Sequence, residues 1–421
     1  MRVIAFAKVQ AEIQPDYLRA IPIDTAMQFI LQGEKMMTSP GRTFFVALPI
    51  VFSLFSVAPA SGQAVQPEKP PMADDVFKNI KVLKGLTVDQ FMGTMGFIAA
   101  ALSMNCSECH DTSSSAAFAL DTNPRKLTAR RMIAMVNTIN KSNFGGKREV
   151  TCFTCHRGDV RPKVTPSLAQ QYSVPPTEDA NDVEPIDGPG ANTASADQVF
   201  SKYIEALGGA QRLASLTSFA ARGNYEGFDT EGEKVALDIY AKAPNQLSTV
   251  VHLKAGDNIR TYDGRNFWTT SAGTFLPLPV LQMTGGELEG AKMDAALSFP
   301  AQIKQALKDW RTGFPTTTID DKEVDVVQGF AADNTRVKLY FDKKSALLLR
   351  QVRFTSTVLG LNPIQIDYAD YRDVSGVKMP FHWTTTWTDG RSVTDLLSVQ
   401  PNVAIDAARF ARPAPTIPRA P

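Results

Sequence analysis

The chain has 421 residues, more than one typical domain, and 43% of them are hydrophobic and 21% charged, the composition of a soluble protein able to bury sizeable cores. Its formal net charge is +1, so nothing global points to nucleic acid as a partner. All four cysteines fall between positions 106 and 155 as two copies of one pattern, which suggests a cofactor and not a disulfide framework.

Residues 1–64 read as an N-terminal extension and signal peptide. Arg42 precedes an apolar run from Thr43 to Ala58, and small residues follow around Ala60 and Ala64, the basic flank, apolar segment and cleavage site of a secretory signal. The run is shorter than the roughly 20 apolar residues of a membrane span and contains Pro49, which favours a signal over an uncleaved anchor. Met36 or Met37 is a candidate true start, because it would put the basic flank where signals begin. The expectation is an exported, periplasmic protein, with membrane association left open.

A Pro-containing spacer leads into residues 75–165, which hold every cysteine and read as helical. Thr87 and Gln90 form a capping box ahead of an apolar helix, Val88 to Ser103. Thr128 is expected to cap a second helix running to about Asn140. Residues 166–194 carry five acidic residues, no Lys or Arg, and repeated Pro and Gly, the composition of an acidic, flexible linker.

Residues 195–412 change period. Ser195 and Gln198 open a helix that Gly208-Gly209 ends. Alternating runs follow: Val235, Leu237 and Ile239 share one face, as do Val337, Leu339 and Phe341, and Ile364, Ile366 and Tyr368. Asp263-Gly264 and Asp389-Gly390 sit between such runs, where tight hairpins call for positive φ. One helical interruption is predicted near 285–310. The fold class is thus multidomain: a small, mostly α domain and an α+β domain with a mostly antiparallel sheet. Residues 413–421 form a Pro/Ala-rich tail expected to be disordered.

Cys106-Ser107-Glu108-Cys109-His110 and Cys152-Phe153-Thr154-Cys155-His156 both match C-x-x-C-H, the attachment pattern of c-type haem. Two thiols three residues apart reach the two vinyl groups of one porphyrin, and the adjacent histidine ligates the iron from the proximal side. The cofactors implied are two covalently bound haems c, with His110 and His156 as iron ligands. Zinc is the alternative, because paired Cys/His knuckles would supply four ligands, but zinc does not require a histidine directly after each second cysteine. The distal ligands must come from elsewhere. Met92 and Met95 lie at i and i+3 on the first helix, and Met132 and Met135 at i and i+3 on the second. Spacing leaves all four open, and Met104 is too near Cys106 to reach across its haem.

The strings LTVDQFMGTMGFIAAALSMNCSECH, TARRMIAMVNTIN and VTCFTCHRG resemble the cytochrome c subunit of photosynthetic reaction centres, over residues 78–162. In that family a helix carries the distal Met of each haem and the C-x-x-C-H follows after a turn. The resemblance implies that Met95 ligates the haem on Cys106, Cys109 and His110, and that Met132 ligates the haem on Cys152, Cys155 and His156. Met92 and Met135 become the runners-up. Family members commonly hold four haems in two pairs, and this chain resembles one such half. His/Met ligation would favour ferrous iron and fill both axial positions, implying electron transfer rather than catalysis. The segment 75–165 carries 13 Lys and Arg against 7 Asp and Glu, and Arg125, Lys126, Arg130, Arg131, Lys147, Arg148 and Arg157 are candidate propionate partners.

In 195–412, LYFDKKSALLLRQVRF and YADYRDVSGVKMPFHW resemble the lipoprotein-carrier (LolA/LolB-like) half-barrel in hairpin style and order. That implies a curled sheet around an apolar cleft and a possible hydrophobic ligand. Tyr240, Trp268, Phe275, Trp383 and Trp387 are candidate lining residues, although aromatics in strands more often pack as core. His252 and His382 each stand alone in a strand-like run and read as structural. The sequence therefore predicts an electron carrier exchanging electrons with protein redox partners, and not an enzyme. The alternatives are a haem-dependent redox enzyme with one open iron site, and a quinone- or lipid-binding redox module.

Overall fold

Polar caps ahead of apolar runs set the helices of the N-terminal segment. The computed structural model describes residues 69–167, 179–184, 194–272 and 276–416. The predicted signal run, most of the linker, Phe275 and the last residues of the tail lie outside them. Met1–Lys69 and Pro70–Pro421 form separate units, and all the described helices and strands belong to the second. A short helix α1 (Ala73–Val76) precedes α2 (Val88–Leu102), where Gln90 Oε1 accepts the Thr87 N–H at 3.2 Å. Helix α2 ends at Ser103, whose φ of 49° is left-handed. Helix α3 runs Pro124–Asn143, longer than expected at both ends. Its cap is Asn123, whose Oδ1 accepts from Arg125 N at 3.0 Å, and Pro124 occupies the first turn, where its missing N–H costs nothing. Thr128 is therefore no cap; its hydroxyl donates to Pro124 O at 3.1 Å inside the helix. Helix α4 is short, Cys152–His156.

After α5 (Ala196–Ala206) and α6 (Ala210–Ser215) come the strands β1 (Ser218–Gly227), β2 (Val235–Lys242), β3 (Gln246–Leu253), β4 (Gly256–Tyr262), β5 (Phe267–Thr270) and β6 (Val280–Met283). Helix α7 (Gly285–Ser298) interrupts the series as predicted, and β7 (Lys308–Arg311), β8 (Thr317–Ile319), β9 (Lys322–Phe330), β10 (Arg336–Asp342), β11 (Leu348–Ser356), β12 (Leu361–Val374), β13 (Val377–Trp387) and β14 (Gly390–Pro401) follow. They form one antiparallel sheet in the order β6-β5-β4-β3-β2-β1-β14-β13-β12-β11-β10-β9-β7, with β8 beside β9. Two meanders thus join where β14 pairs with β1. The Asp263-Gly264 turn has the expected positive φ, 98° at Gly264, and Asp263 Oδ1 accepts from Arg265 N and Asn266 N. Gly390 differs: it opens β14 without positive φ, and a Cβ there would come within 2.3 Å of the Trp387 indole. Close packing, not turn geometry, requires that glycine.

Alternation sorts the strands into two faces. Leu237, Ile239, Val337, Leu339 and Phe341 join Phe200 and Tyr203 of α5 and Met293 of α7 in the main core. The opposite face carries a second cluster with Tyr340, Val352 and Phe354. Lys338 on that face is fully buried. Its ammonium donates to the carbonyls of Asn181, at 2.9 Å, and Val183, while Tyr340 donates to Ala180 O at 2.8 Å and Arg336 meets Glu184 at 2.8 Å. Residues 179–184 therefore strap the sheet, which corrects the expectation of a flexible linker at this hexapeptide. A buried ammonium needs acceptors, and backbone carbonyls provide them.

The N-terminal helices also pack against the sheet. The β11–β12 hairpin tip, Thr357–Gly360, is organised by the Thr357 hydroxyl, which accepts from Leu359 N at 3.2 Å and Gly360 N at 3.0 Å. Leu359, 2% exposed, enters a cluster with Leu83, Phe97 and Ile133. Asn362 Nδ2 donates to Gly93 O of α2 at 2.9 Å, and Arg148 donates to Ser356 Oγ at 2.6 Å. Buried Asp89 of α2 accepts from the backbone N and the hydroxyl of Thr284, at 2.6 and 2.7 Å. Helix α2 thereby lies against the end strand β6.

Candidate haem sites

The first motif begins as a single 3-10 turn, Cys106–Glu108, capped by Asn105. Ser107 Oγ donates to Asn105 Oδ1 at 2.6 Å, and Asn105 N donates to Glu108 Oε2 at 2.9 Å. Asn123 Nδ2 holds the Glu108 carbonyl at 3.0 Å, so the cap of α3 also anchors this motif. The second motif is α4 itself, capped by Thr151 Oγ1, which accepts from Thr154 N at 3.2 Å. The loop before it is clamped by Asn140, a residue that sequence reasoning missed, which bonds both backbone groups of Val150. Gly158 N donates to Ala101 O of α2 at 3.0 Å, which ties the second motif to the helix of the first.

Both histidines present their rings alike. His110 Nδ1 faces Phe118 O at 3.0 Å, and His156 Nδ1 faces Asp159 O at 3.0 Å. A carbonyl at Nδ1 fixes the proton there and leaves Nε2 as the metal-ligating atom. Burial pushes the His110 imidazole below its usual range against the Phe118 carbonyl, favouring the neutral form that ligates. Burial also pushes the Cys109 and Cys152 thiols up. All four cysteines are free thiols, and among the described residues no three His, Cys, Asp or Glu side chains gather as a metal cluster would need. The zinc alternative thus finds no assembled ligand set there.

Methionine placement is uneven. Met95 packs into the cluster of Phe97, Ile133 and Leu359, which also includes Cys152 of the second motif. Met92, Met132 and Met135 are exposed, alongside Phe118, Leu127, Phe144 and Phe153. Most of the exposed large apolar side chains among the described residues belong to this segment. An apolar surface of that kind around two C-x-x-C-H turns fits a porphyrin face, which would cover it. Of the candidate propionate partners, Lys126 already donates to Phe118 O and Leu120 O at 2.8 Å. Arg130 pairs with Asp121 at 2.9 Å, Arg125 with Glu108 at 3.5 Å, Arg131 with Thr128 and Arg148 with Ser356. Lys147 and Arg157 are exposed.

Residues 47–207 match the family described as photosynthetic reaction centre cytochrome C subunit. The match extends beyond the C-x-x-C-H region through the linker to the end of α5. The chain is 36% identical over 97 residues to the photosynthetic reaction center cytochrome c subunit of Rubrivivax gelatinosus, covering 22% of this chain and 25% of that protein. It is 31% identical over 121 residues to cytochrome c-554 of Chloroflexus aurantiacus, covering 27% of each. The chain thus spans about a quarter of the length of these relatives. A LolA superfamily protein from Nitrosomonas europaea is similar in structure at 14% identity and a TM-score of 0.35, over 52% of this chain and 98% of that one.

In the sheet domain, the two histidines are satisfied locally. His252 sits between Asp238 and Asp257, 3.1 Å from each, and His382 bonds Asp395 at 2.7 Å. Among the described residues, the four candidate aromatics do not line one cleft. Trp383 packs against the main core, Trp268 is buried, Trp387 covers Gly390, and Tyr240 lies on the face opposite Leu237 and Ile239, under Arg409 at 4.7 Å. No helix among the described residues is long and apolar enough to cross a membrane.

Proposed function

We propose that the chain is an exported, periplasmic c-type cytochrome that passes electrons between protein redox partners through two haems. The observation that carries this reading is the matched presentation of His110 and His156, each with Nδ1 on a backbone carbonyl and Nε2 left for iron. Cys106 and Cys109 would hold one haem covalently, and Cys152 and Cys155 the other. Met95 and Met132 would complete the axial pairs, with Met92 and Met135 beside the rings. Bound haem would supply a one-electron couple, and His/Met ligation would poise it toward ferrous iron with no open position. The chain's own residues orient the imidazoles, pack partly buried Met95 against Phe97 and Leu359, and join the two motifs through α2. This is a carrier's arrangement and not an enzyme's.

For the sheet domain, docking is the better-supported role, because Phe200, Tyr203 and Met293 fill the inner face where a hydrophobic ligand would sit. We also read the sheet as curled. Helix α7 contacts β4 as well as β11, strands seven places apart, or about 33 Å in a flat sheet, farther than the helix's own length of about 21 Å.

Pyridine haemochrome analysis of the mature protein tests the core of the proposal, with two haems per chain expected. A low-spin spectrum with a red-edge Met–iron band and no change under CO supports the carrier. A high-spin haem that binds CO would replace it with an enzyme.

A further inference from the structure

The β11–β12 hairpin tip lies more than 200 positions beyond the last haem cysteine, yet it touches both haem units. Leu359 is 2% exposed in a cluster whose other members come from the cytochrome segment: Phe97 and partly buried Met95 from α2, Ile133 from α3, and Cys152 from α4. Gly360 lets α2 approach closely, since a Cβ there would stand 2.1 to 2.8 Å from the Phe97 ring. On one side of the tip Asn362 holds Gly93 O, two residues before Met95. On the other, Ser356 receives Arg148 from the loop that leads into the second motif. Thr357 satisfies the tip's own backbone at 2.8 to 3.2 Å, so the wedge is rigid before it meets the helices.

We propose that this hairpin tip is a haem-positioning element, with Leu359 and Gly360 as positioning residues that fix α2, and so hold Met95 in place for the iron of the first motif while packing beside Cys152 of the second. The sheet domain then belongs to the redox unit. A cytochrome segment of fewer than 100 residues has little core of its own, and the tip supplies one of that cluster's four buried members. Truncating Leu359 would leave a cavity beside Met95 and let α2 shift, weakening the Met–iron bond without touching either pair of thioethers.

The inference rests on the two-haem reading above, and the test separates the two. In the full-length mature protein, Leu359→Ala is expected to keep the wild-type haem count, to lose one of two Met–iron bands, and to lower one of two midpoint potentials. Val326→Ala, a truncation in the cluster on the opposite face, is the control and should reduce thermal stability with bands and potentials unchanged. If Leu359→Ala behaves like that control, the tip is plain packing and the proposal fails. If Leu359→Ala does not accumulate, Leu359→Val is read by the same criteria, and Leu359→Met, which refills the space, should restore the band. A wild-type protein with fewer than two haems, or with no Met–iron band, would instead defeat the two-haem reading itself.

Discussion

Asn140 and Val150 are joined by two hydrogen bonds: Asn140 Nδ2 donates to Val150 O at 2.7 Å, and Val150 N donates to Asn140 Oδ1 at 3.0 Å. Asn140 is 6% exposed, so water cannot replace either bond. The pair closes the eight-residue loop, 144–151, that delivers Thr151 and the second motif. Asn140→Ala leaves both Val150 groups unpaired, at about 1–3 kcal/mol for each. The expected outcome is a clear drop in melting temperature; a melting curve matching wild type would show the clamp to be dispensable.

The axial assignment makes a spectroscopic prediction. Met95→Ala and Met132→Ala should each remove one Met–iron band and leave the other in place. Met92→Ala and Met135→Ala should leave both bands intact. A silent Met95 or Met132 variant would transfer the role to its helical neighbour.

Haem number follows from the cysteines. Replacing Cys106 and Cys109 together by Ser should reduce the covalent haem count from two to one per chain, as should replacing Cys152 and Cys155. Haemochrome absorbance against protein concentration gives the count directly, and an unchanged ratio would argue against covalent attachment at that pair.

Removal of the Lys338 ammonium should release the strap. Lys338→Met keeps the buried apolar stem but loses the bonds to the Asn181 and Val183 carbonyls. Limited proteolysis within 166–194 should accelerate several-fold, and a wild-type cleavage rate would mean that Tyr340 and Arg336 hold the strap without it.

His252 gives the sheet a pH dependence. Burial opposes its charge, but the Asp238 and Asp257 carboxylates outweigh that cost and raise its pKa above the usual 6.5. Its contribution is therefore full below 6.5 and fades as pH rises through the elevated value. Titration of its ring protons by NMR should give a midpoint above 6.5, and the melting temperature of His252→Asn should depend less on pH across that window.

Local chemistry made much of this protein legible in sequence. The boxes at Thr87–Gln90 and Ser195–Gln198 depend on residues within a few positions, and each is found at its expected place. Strand alternation correctly sorted Leu237 and Ile239, and Val337, Leu339 and Phe341, onto the core face. Asn123-Pro124 is itself a readable helix start, and it places the cap of α3 more than a turn before Thr128. Other features arise only on folding. Lys338 looks like an ordinary solvent-facing residue until residues 179–184 cover it. Leu359-Gly360 looks like a plain hairpin turn until Phe97 packs on it. Asn140 reads as a mid-helix polar residue, and only the path of the following loop gives it a task.

Strand β6 is the last in its half of the sheet, with β5 on one side and α2 near the other. The same helix carries Met95. A protein cut at residue 195 to isolate the sheet would leave the β6 backbone open to any passing strand, and such edges recruit their own kind. Self-association of that fragment, or its capture of extended peptides, would then be a property of the cut. The cytochrome segment would then shield an open edge of the sheet to which it is fused.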